Sequence, residues 1–181
     1  MPRVFISVGS NLDPENNVLA TLRLLQQHVS VTAVSTLYRT PAWERPEQPD
    51  FINGVVEATT DHPPHILKWQ VLRAIETALG RERSEDKDAP RPIDLDLLLY
   101  GNVQLIMDDL RLPDLELIRR PFLLYPLYEL APDLVLPDSG EPLAQVIARV
   151  PQEMMQPLVE YTERVRKEID YEPRTRGATG S

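Results

Sequence analysis

The 181-residue chain contains no cysteine. Thiol nucleophiles, redox dithiols, zinc–thiolate centres and disulfide frameworks are therefore excluded, and the absence suits a reducing compartment. Glycine is scarce: the seven residues (9, 54, 80, 101, 140, 177 and 180) include no G-x-G pair and no G-x-x-x-x-G-K-[ST]. With neither a dinucleotide fingerprint nor a Walker loop, any phosphate must be handled by side chains and metal. Basic excess is also lacking. A formal charge of −9 argues against non-specific nucleic-acid binding, which needs a positive surface, although a local arginine cluster can still hold a small anion. No apolar run is long enough to span a bilayer. The start, "MPRVFISVGSNL", enters strand-like residues directly, without a leader-type apolar block. The expected location is cytoplasmic, with neither membrane nor nucleic acid as partner.

What remains is a chain with 42% hydrophobic residues, enough for one packed domain without a staple. "RVFISVGS" (3–10) reads as a strand. "DPENNVLATLRLLQQHV" follows as a helix, with Asp13 at the N-cap, Pro14 at the first position and Val18, Leu22 and Leu25 at helical spacing. "SVTAVSTLYRT" (30–40) and "FINGVVEATT" (51–60) read as strands around a proline-rich loop, "PAWERPEQPD". "HPPHILKWQVLRAIETALG" (62–80) is a helix stopped by Gly80. A charged loop (81–92) then leads to a strand, "IDLDLLLYG" (93–101). The order β-α-β-β-α-β predicts an α+β fold with a ferredoxin-like βαββαβ core. Extra C-terminal helices are expected at 121–132 and 142–150. The reading is a single domain over 1–160, with 161–181 as a charged helix turning into a polar tail.

Asp94 and Asp96 stand at positions i and i+2 of the last strand. Both carboxylates therefore project from one face while Leu95 and Leu97 take the other. Side by side they repel unless a cation or proton lies between them, and Mg²⁺ accepts such a pair together with substrate phosphates. A strand edge where both are solvated, or paired with arginines such as Arg91, accounts for the spacing equally well. Ahead of them Arg81, Arg83, Lys87 and Arg91 supply cations suited to phosphate oxygens. Glu82, Glu85, Asp86 and Asp88 are interleaved, which also fits a plain solvated face. Next to the aspartates the combination favours a Mg–polyphosphate site with a mobile loop that closes over it. The histidines His28, His62 and His65 form no ligand set. Trp43, Phe51 and Asn53 offer flat faces and an amide for a heterocycle, but strand-end packing is the simpler reading of those residues alone.

Several stretches occur together in a known order and spacing: "ISVGSNL" (6–12), "STLYRTPAW" (35–43), "QPDFINGVV" (48–56), "IETALGRER" (75–83), "APRPIDLDLLLYG" (89–101) and "RRPFLLYPLYELAPDLVLP" (119–137). In these the chain resembles the 6-hydroxymethyl-7,8-dihydropterin pyrophosphokinases of folate biosynthesis, over roughly residues 3–138. The resemblance implies transfer of pyrophosphate from ATP, as co-substrate, to the pterin hydroxymethyl group, with release of AMP and two Mg²⁺ ions. It implies that Asp94 and Asp96 hold the metals and that Arg83 and Arg91 act with them on the phosphates. Thr40, Pro41, Trp43, Phe51, Asn53 and Phe122 are implied as the pterin pocket. Glu76, Arg83, Arg91, Leu97 and Arg120 are implied around the nucleotide, and association with neighbouring folate-pathway enzymes is an expected partnership.

The chain also departs from the pattern. Asp114 stands where a histidine is usual, Leu115 follows it, and Lys87 and Asp88 replace an arginine–tryptophan pair of the lid. Arg73 replaces a glutamine and is expected to add positive charge on the nucleotide side. Asp109 replaces a basic residue, with Arg111 close by. These changes leave two further readings open: a non-catalytic pterin- or nucleotide-binding or docking module, and a transferase for a different hydroxymethyl pterin.

Overall fold

The computed structural model describes residues 1–171; the end of the expected tail, 172–181, lies outside the described residues. The fold is α+β, an antiparallel sheet with helices on both faces. Its central strand, β1 (Arg3–Ser10), is paired on one side with β4 (Phe51–Thr59) and on the other with β5 (Asp94–Tyr100). The far edge of β4 carries two short strands, β2 (Ser30–Val34) and β3 (Tyr38–Thr40). A short strand, β8 (Gln156–Pro157), closes that edge on β3.

The stretch 30–40, expected as one strand, is therefore broken. Ser35 turns its hydroxyl back to accept from Val55 N at 2.9 Å. Leu37 folds over Gly54, where a Cβ would stand 2.5 Å from Leu37 Cδ2. A local side-chain bond and a filled hollow thus replace continuous pairing.

One face of the sheet packs against α1 (Pro14–Leu25), the long helix of 64–78 and α6 (Val159–Ile169). The long helix runs from α2 (Pro64–Ile66) through a π-helical turn (Leu67–Leu72) into α3 (Arg73–Ala78). It ends at Gly80, whose φ of 89° suits the residue that stops it. The other face packs against α4 (Pro121–Leu130) and α5 (Leu143–Ile147) around Phe5, Val55 and Leu98. A hairpin, β6 (Leu105–Met107) with β7 (Leu110–Leu112), follows β5 and was not foreseen, because its strands are only three residues long.

The boundary expected from the sequence lies at 160. Helix α6 crosses it, with Tyr161, Val165 and Ile169 buried in the main core. Its charged residues form only the outer face, which hid the apolar stripe within the charge run. Asp13 does occupy the N-cap of α1, but its side chain accepts from Asn16 Nδ2 rather than capping the backbone.

Candidate active site

Side-chain size along β1 creates the site. On the α4 side of the sheet β1 presents Phe5, then Ser7, then Gly9, a descending series that leaves a hollow beyond the reach of α4. The register sets Gly9 between Asn53 of β4 and Asp94 of β5, and Ser7 opposite Asp96. The two aspartates do share one face. They line a small hollow of about 80 Å³ together with Ser7, Gly9, Asp114 and Glu116.

A larger cavity of about 190 Å³ adjoins it, walled by Pro41, Trp43, Phe51, Asn53, Arg91 and Phe122 among others. Asn53, Asp94, Arg120 and Phe122 belong to both. Asn53 Nδ2 donates to Thr40 Oγ1 at 2.7 Å, which fixes the amide. Thr40 is itself buried and positions Asn53 from behind the wall. Trp43 and Phe122 meet edge to face with centroids 5.9 Å apart. The Arg120 guanidinium lies 5.6 Å from the Trp43 ring and 5.8 Å from Phe122, held by Glu116 at 2.8 Å. Arg120, expected beside the nucleotide, thus stands between the aromatic cavity and the carboxylates.

The two carboxylates differ in environment. Asp94 accepts from Arg81 Nη1 at 3.0 Å and from Arg91 Nη1 at 3.2 Å. Asp96 has no hydrogen-bond or ion-pair partner among the described residues. Burial, reinforced by the charges of Asp94 and Asp114, pushes its pKa up to about 7. Burial also raises Asp114, whose Oδ1 accepts from Glu116 N at 2.8 Å. An unpartnered carboxylate beside a paired one suits a cation. Among the described residues no cluster of three acidic or histidine ligands closes around an ion, so water and phosphate oxygens would have to complete the coordination.

The expected nucleotide residues are not gathered as the motifs imply. Leu97 is 2% exposed and packs in the core on the face opposite Asp94 and Asp96, because neighbours along a strand alternate. Glu76 is buried and pairs with Arg81, also at 4.0 Å from Arg83. Arg83 is 63% exposed, and its ion pair is with Glu76 rather than with Asp94 or Asp96. Arg111 is exposed on the hairpin. Arg73 binds Asp109 at 2.7 Å, so two separate departures from the motif pattern meet as one ion pair. Asp109 also accepts from Trp69 Nε1 at 3.0 Å, while its carbonyl accepts from Lys68 Nζ. Burial alone would raise the Asp109 pKa, but Lys68, Trp69 and Arg73 outweigh it and hold the carboxyl below its usual range.

Four contributors were not chosen from sequence. Arg81 was noted only as one of the loop cations, yet it joins Glu76 to Asp94. Asn11 and Gln48 are bonded to each other at 3.1 Å, and Asn11 accepts from Arg91 N at 2.8 Å, which ties the charged loop to the proline-rich one. Gly9 forms the floor. Its place at the end of "SVG" was the available signal; for Asn11 and Gln48 there was none, since their partners are distant in sequence.

The 7,8-dihydro-6-hydroxymethylpterin-pyrophosphokinase family model matches residues 5–132. A 2-amino-4-hydroxy-6-hydroxymethyldihydropteridine pyrophosphokinase from Synechocystis is 42% identical over 80% of this chain and 72% of its own. The enzyme of that name from Pseudomonas aeruginosa is 39% identical over 83% and 93%. A "Folate synthesis bifunctional protein" from Arabidopsis thaliana is 40% identical over 70% of this chain and 26% of its own. Among solved structures, a triple mutant of Plasmodium falciparum HPPK-DHPS matches in fold with TM-score 0.65 at 13% identity. That match covers 96% of this chain and 46% of the Plasmodium one, so this chain spans just under half of that structure. No helix among the described residues is long and apolar enough to cross a membrane. The chain belongs to the 7,8-dihydro-6-hydroxymethylpterin-pyrophosphokinase family and is a diphosphotransferase of folate biosynthesis.

Proposed function

We propose that the chain transfers the β,γ-pyrophosphoryl group of ATP to the hydroxymethyl oxygen of 6-hydroxymethyl-7,8-dihydropterin. The observation that carries this reading is the shared wall: an aromatic cavity with a fixed amide opens directly onto a carboxylate pair flanked by guanidinium groups. Phe51 and Phe122 supply faces for the pterin ring, Asn53 reads its edge, and Pro41 and Trp43 complete the cavity. Thr40 keeps the Asn53 amide in one orientation.

The alcohol oxygen bonds to the β-phosphorus and the bond to the bridging oxygen breaks. AMP leaves with that oxygen, and the alcohol proton passes to solvent. Arg91 and Arg81 lie within reach of Asp94 and so of any phosphate presented there, where their charge favours the transition state. Arg83, exposed on the same loop, joins them when the loop moves inward. Asp94 and Asp96 would hold two Mg²⁺ ions, which supply charge neutralisation of the triphosphate when bound.

On this reading Arg73, oriented by Asp109, and Arg111 serve the nucleotide, and Leu97, whose side chain lies in the core, does so through its backbone. The strand order β5–β1–β4, with β2 and β3 both on the outer edge of β4, supports a ferredoxin-like core whose second strand is interrupted. We infer a cytoplasmic site of action, and docking to neighbouring folate enzymes on the pattern of the bifunctional Arabidopsis relative.

The test is AMP release from ATP, Mg²⁺ and the pterin alcohol. Asp94→Asn and Asp96→Asn are each expected to lower turnover by about 100-fold or more while the circular dichroism spectrum is unchanged. Release of ADP instead, or two variants as active as the parent, would remove this reading.

A further inference from the structure

We propose that Arg45 and Asp86 form a charge latch that fastens the charged loop over the aromatic cavity and so sets how long the pterin is retained. The inference rests on that cavity being the pterin site. Its walls come from two loops distant in sequence, 41–48 and 88–91. No residue of 81–92 is fully buried, and polar contacts join this loop to the other. Arg45 Nη1 reaches Asp86 Oδ1 at 3.3 Å and Oδ2 at 3.4 Å, and Nη2 reaches Oδ2 at 3.4 Å. Beside it, Gln48 Nε2 donates to Asp88 O at 2.5 Å.

Both ends of the latch are prepared in advance. Glu44, immediately before Arg45, takes a φ of 58°, a left-handed conformation unusual for a residue with a side chain. Arg45 N donates to Ala42 O and Gln48 N to Arg45 O, which close the turn that presents the guanidinium. Glu47 accepts from Arg45 Nε at 2.6 Å, leaving the two terminal nitrogens for Asp86. Across the gap, Asp86 O accepts from Ser84 Oγ at 2.9 Å, and its carboxylate from Asp88 N at 3.1 Å. The hydrogen bond from Arg45 holds the Asp86 carboxyl below its ordinary pKa, so the latch is charged throughout the neutral range.

The pterin alcohol carries no net charge, so its own binding brings little salt dependence. A salt effect on its retention reports a charge pair inside the protein. The side chains are 35% and 51% exposed, open enough for salt to screen them.

The test measures Kd for the pterin by fluorescence between about 20 and 500 mM NaCl. For the wild type, Kd is expected to rise roughly two- to fivefold across that range. Arg45→Met and Asp86→Asn should each start at the weakened value and lose the salt dependence, whereas Arg45→Lys should keep part of it. Hydrogen exchange on the ligand-free protein gives a second readout. The Asp88 and Ala89 amides should exchange several-fold faster in Arg45→Met than in the wild type. A salt response that survives in both charge-removed variants, or unchanged exchange at those amides, overturns the latch. If no variant binds pterin at any salt while exchange still accelerates, the latch stands and the substrate reading falls.

Discussion

Gly9 faces Asn53 across the β1–β4 ladder, and a Cβ added to Gly9 would stand 2.5 Å from Asn53 Oδ1. The floor of the hollow and the amide proposed to read the pterin are thus in direct contact. The obstructed atom is the end of a side chain, so the backbone survives Gly9→Ala, but the amide cannot stay where Thr40 holds it. Gly9→Ala is expected to weaken pterin binding by roughly tenfold, about 1.4 kcal/mol, with a change in melting temperature of only a few degrees. Titration calorimetry beside a thermal melt separates the two effects. Wild-type affinity in the variant would show that Asn53 does not read the ligand.

Asp96 predicts a pH dependence. Its folded pKa, about 7, lies above the ordinary carboxylate value of 3.8, so the folded chain binds the proton more tightly than the unfolded one. The resulting stabilisation is complete below about pH 4 and is lost as pH rises through about 7. With chelator present, Asp96→Asn should therefore be more stable than the parent at pH 8, by on the order of 1–3 kcal/mol, and the advantage should shrink toward pH 5. Urea titrations at the two pH values check this. An advantage independent of pH would show that Asp96 is not the group titrating.

Removing Arg81 leaves the buried Glu76 with only the exposed Arg83, 4.0 Å away, as counter-charge. Glu76 has a side chain only 6% exposed, and Arg81 joins it to Asp94. Arg81→Met is expected to cost about 2–4 kcal/mol of stability, since a poorly paired buried charge is worse than no charge. Adding Glu76→Gln should recover part of that loss in denaturant unfolding. A double variant no more stable than Arg81→Met would refute the pairing as the cause.

Leu97 and the Arg73–Asp109 pair separate core from nucleotide contact. Leu97→Ala is expected to cost about 2–4 kcal/mol through the cavity it leaves, while the KM for ATP stays within about twofold. In contrast, a double-mutant cycle on Arg73→Gln and Asp109→Asn should return a coupling of at most about 1 kcal/mol, because the pair is largely exposed. A raised KM in Leu97→Ala without destabilisation would return that side chain to the nucleotide site.

The strands and long helices were legible because their patterns are local. Val18, Leu22 and Leu25 repeat at helical spacing, and Asp94 and Asp96 alternate with Leu95 and Leu97. The hairpin of 105–112 was not, because its strands are only three residues long, nor was the break at Ser35–Leu37, which depends on Gly54 and Val55 brought from elsewhere in the chain. Helix α6 was underrated for a related reason: its apolar stripe is narrow, and only α1 and the sheet opposite it show that the stripe is needed.

The sequence alone determined which chemistries are absent, that two carboxylates share one face of a strand, and which family motifs the chain carries. Tertiary structure decided which charges meet. Arg81 rather than Arg83 reaches Asp94, Asp109 takes Arg73, and Arg120 stands between the rings and the acids. The physical reason is reach: side-chain periodicity is set within a few residues, whereas an ion pair forms only between groups that strand register and loop closure bring within a few ångströms.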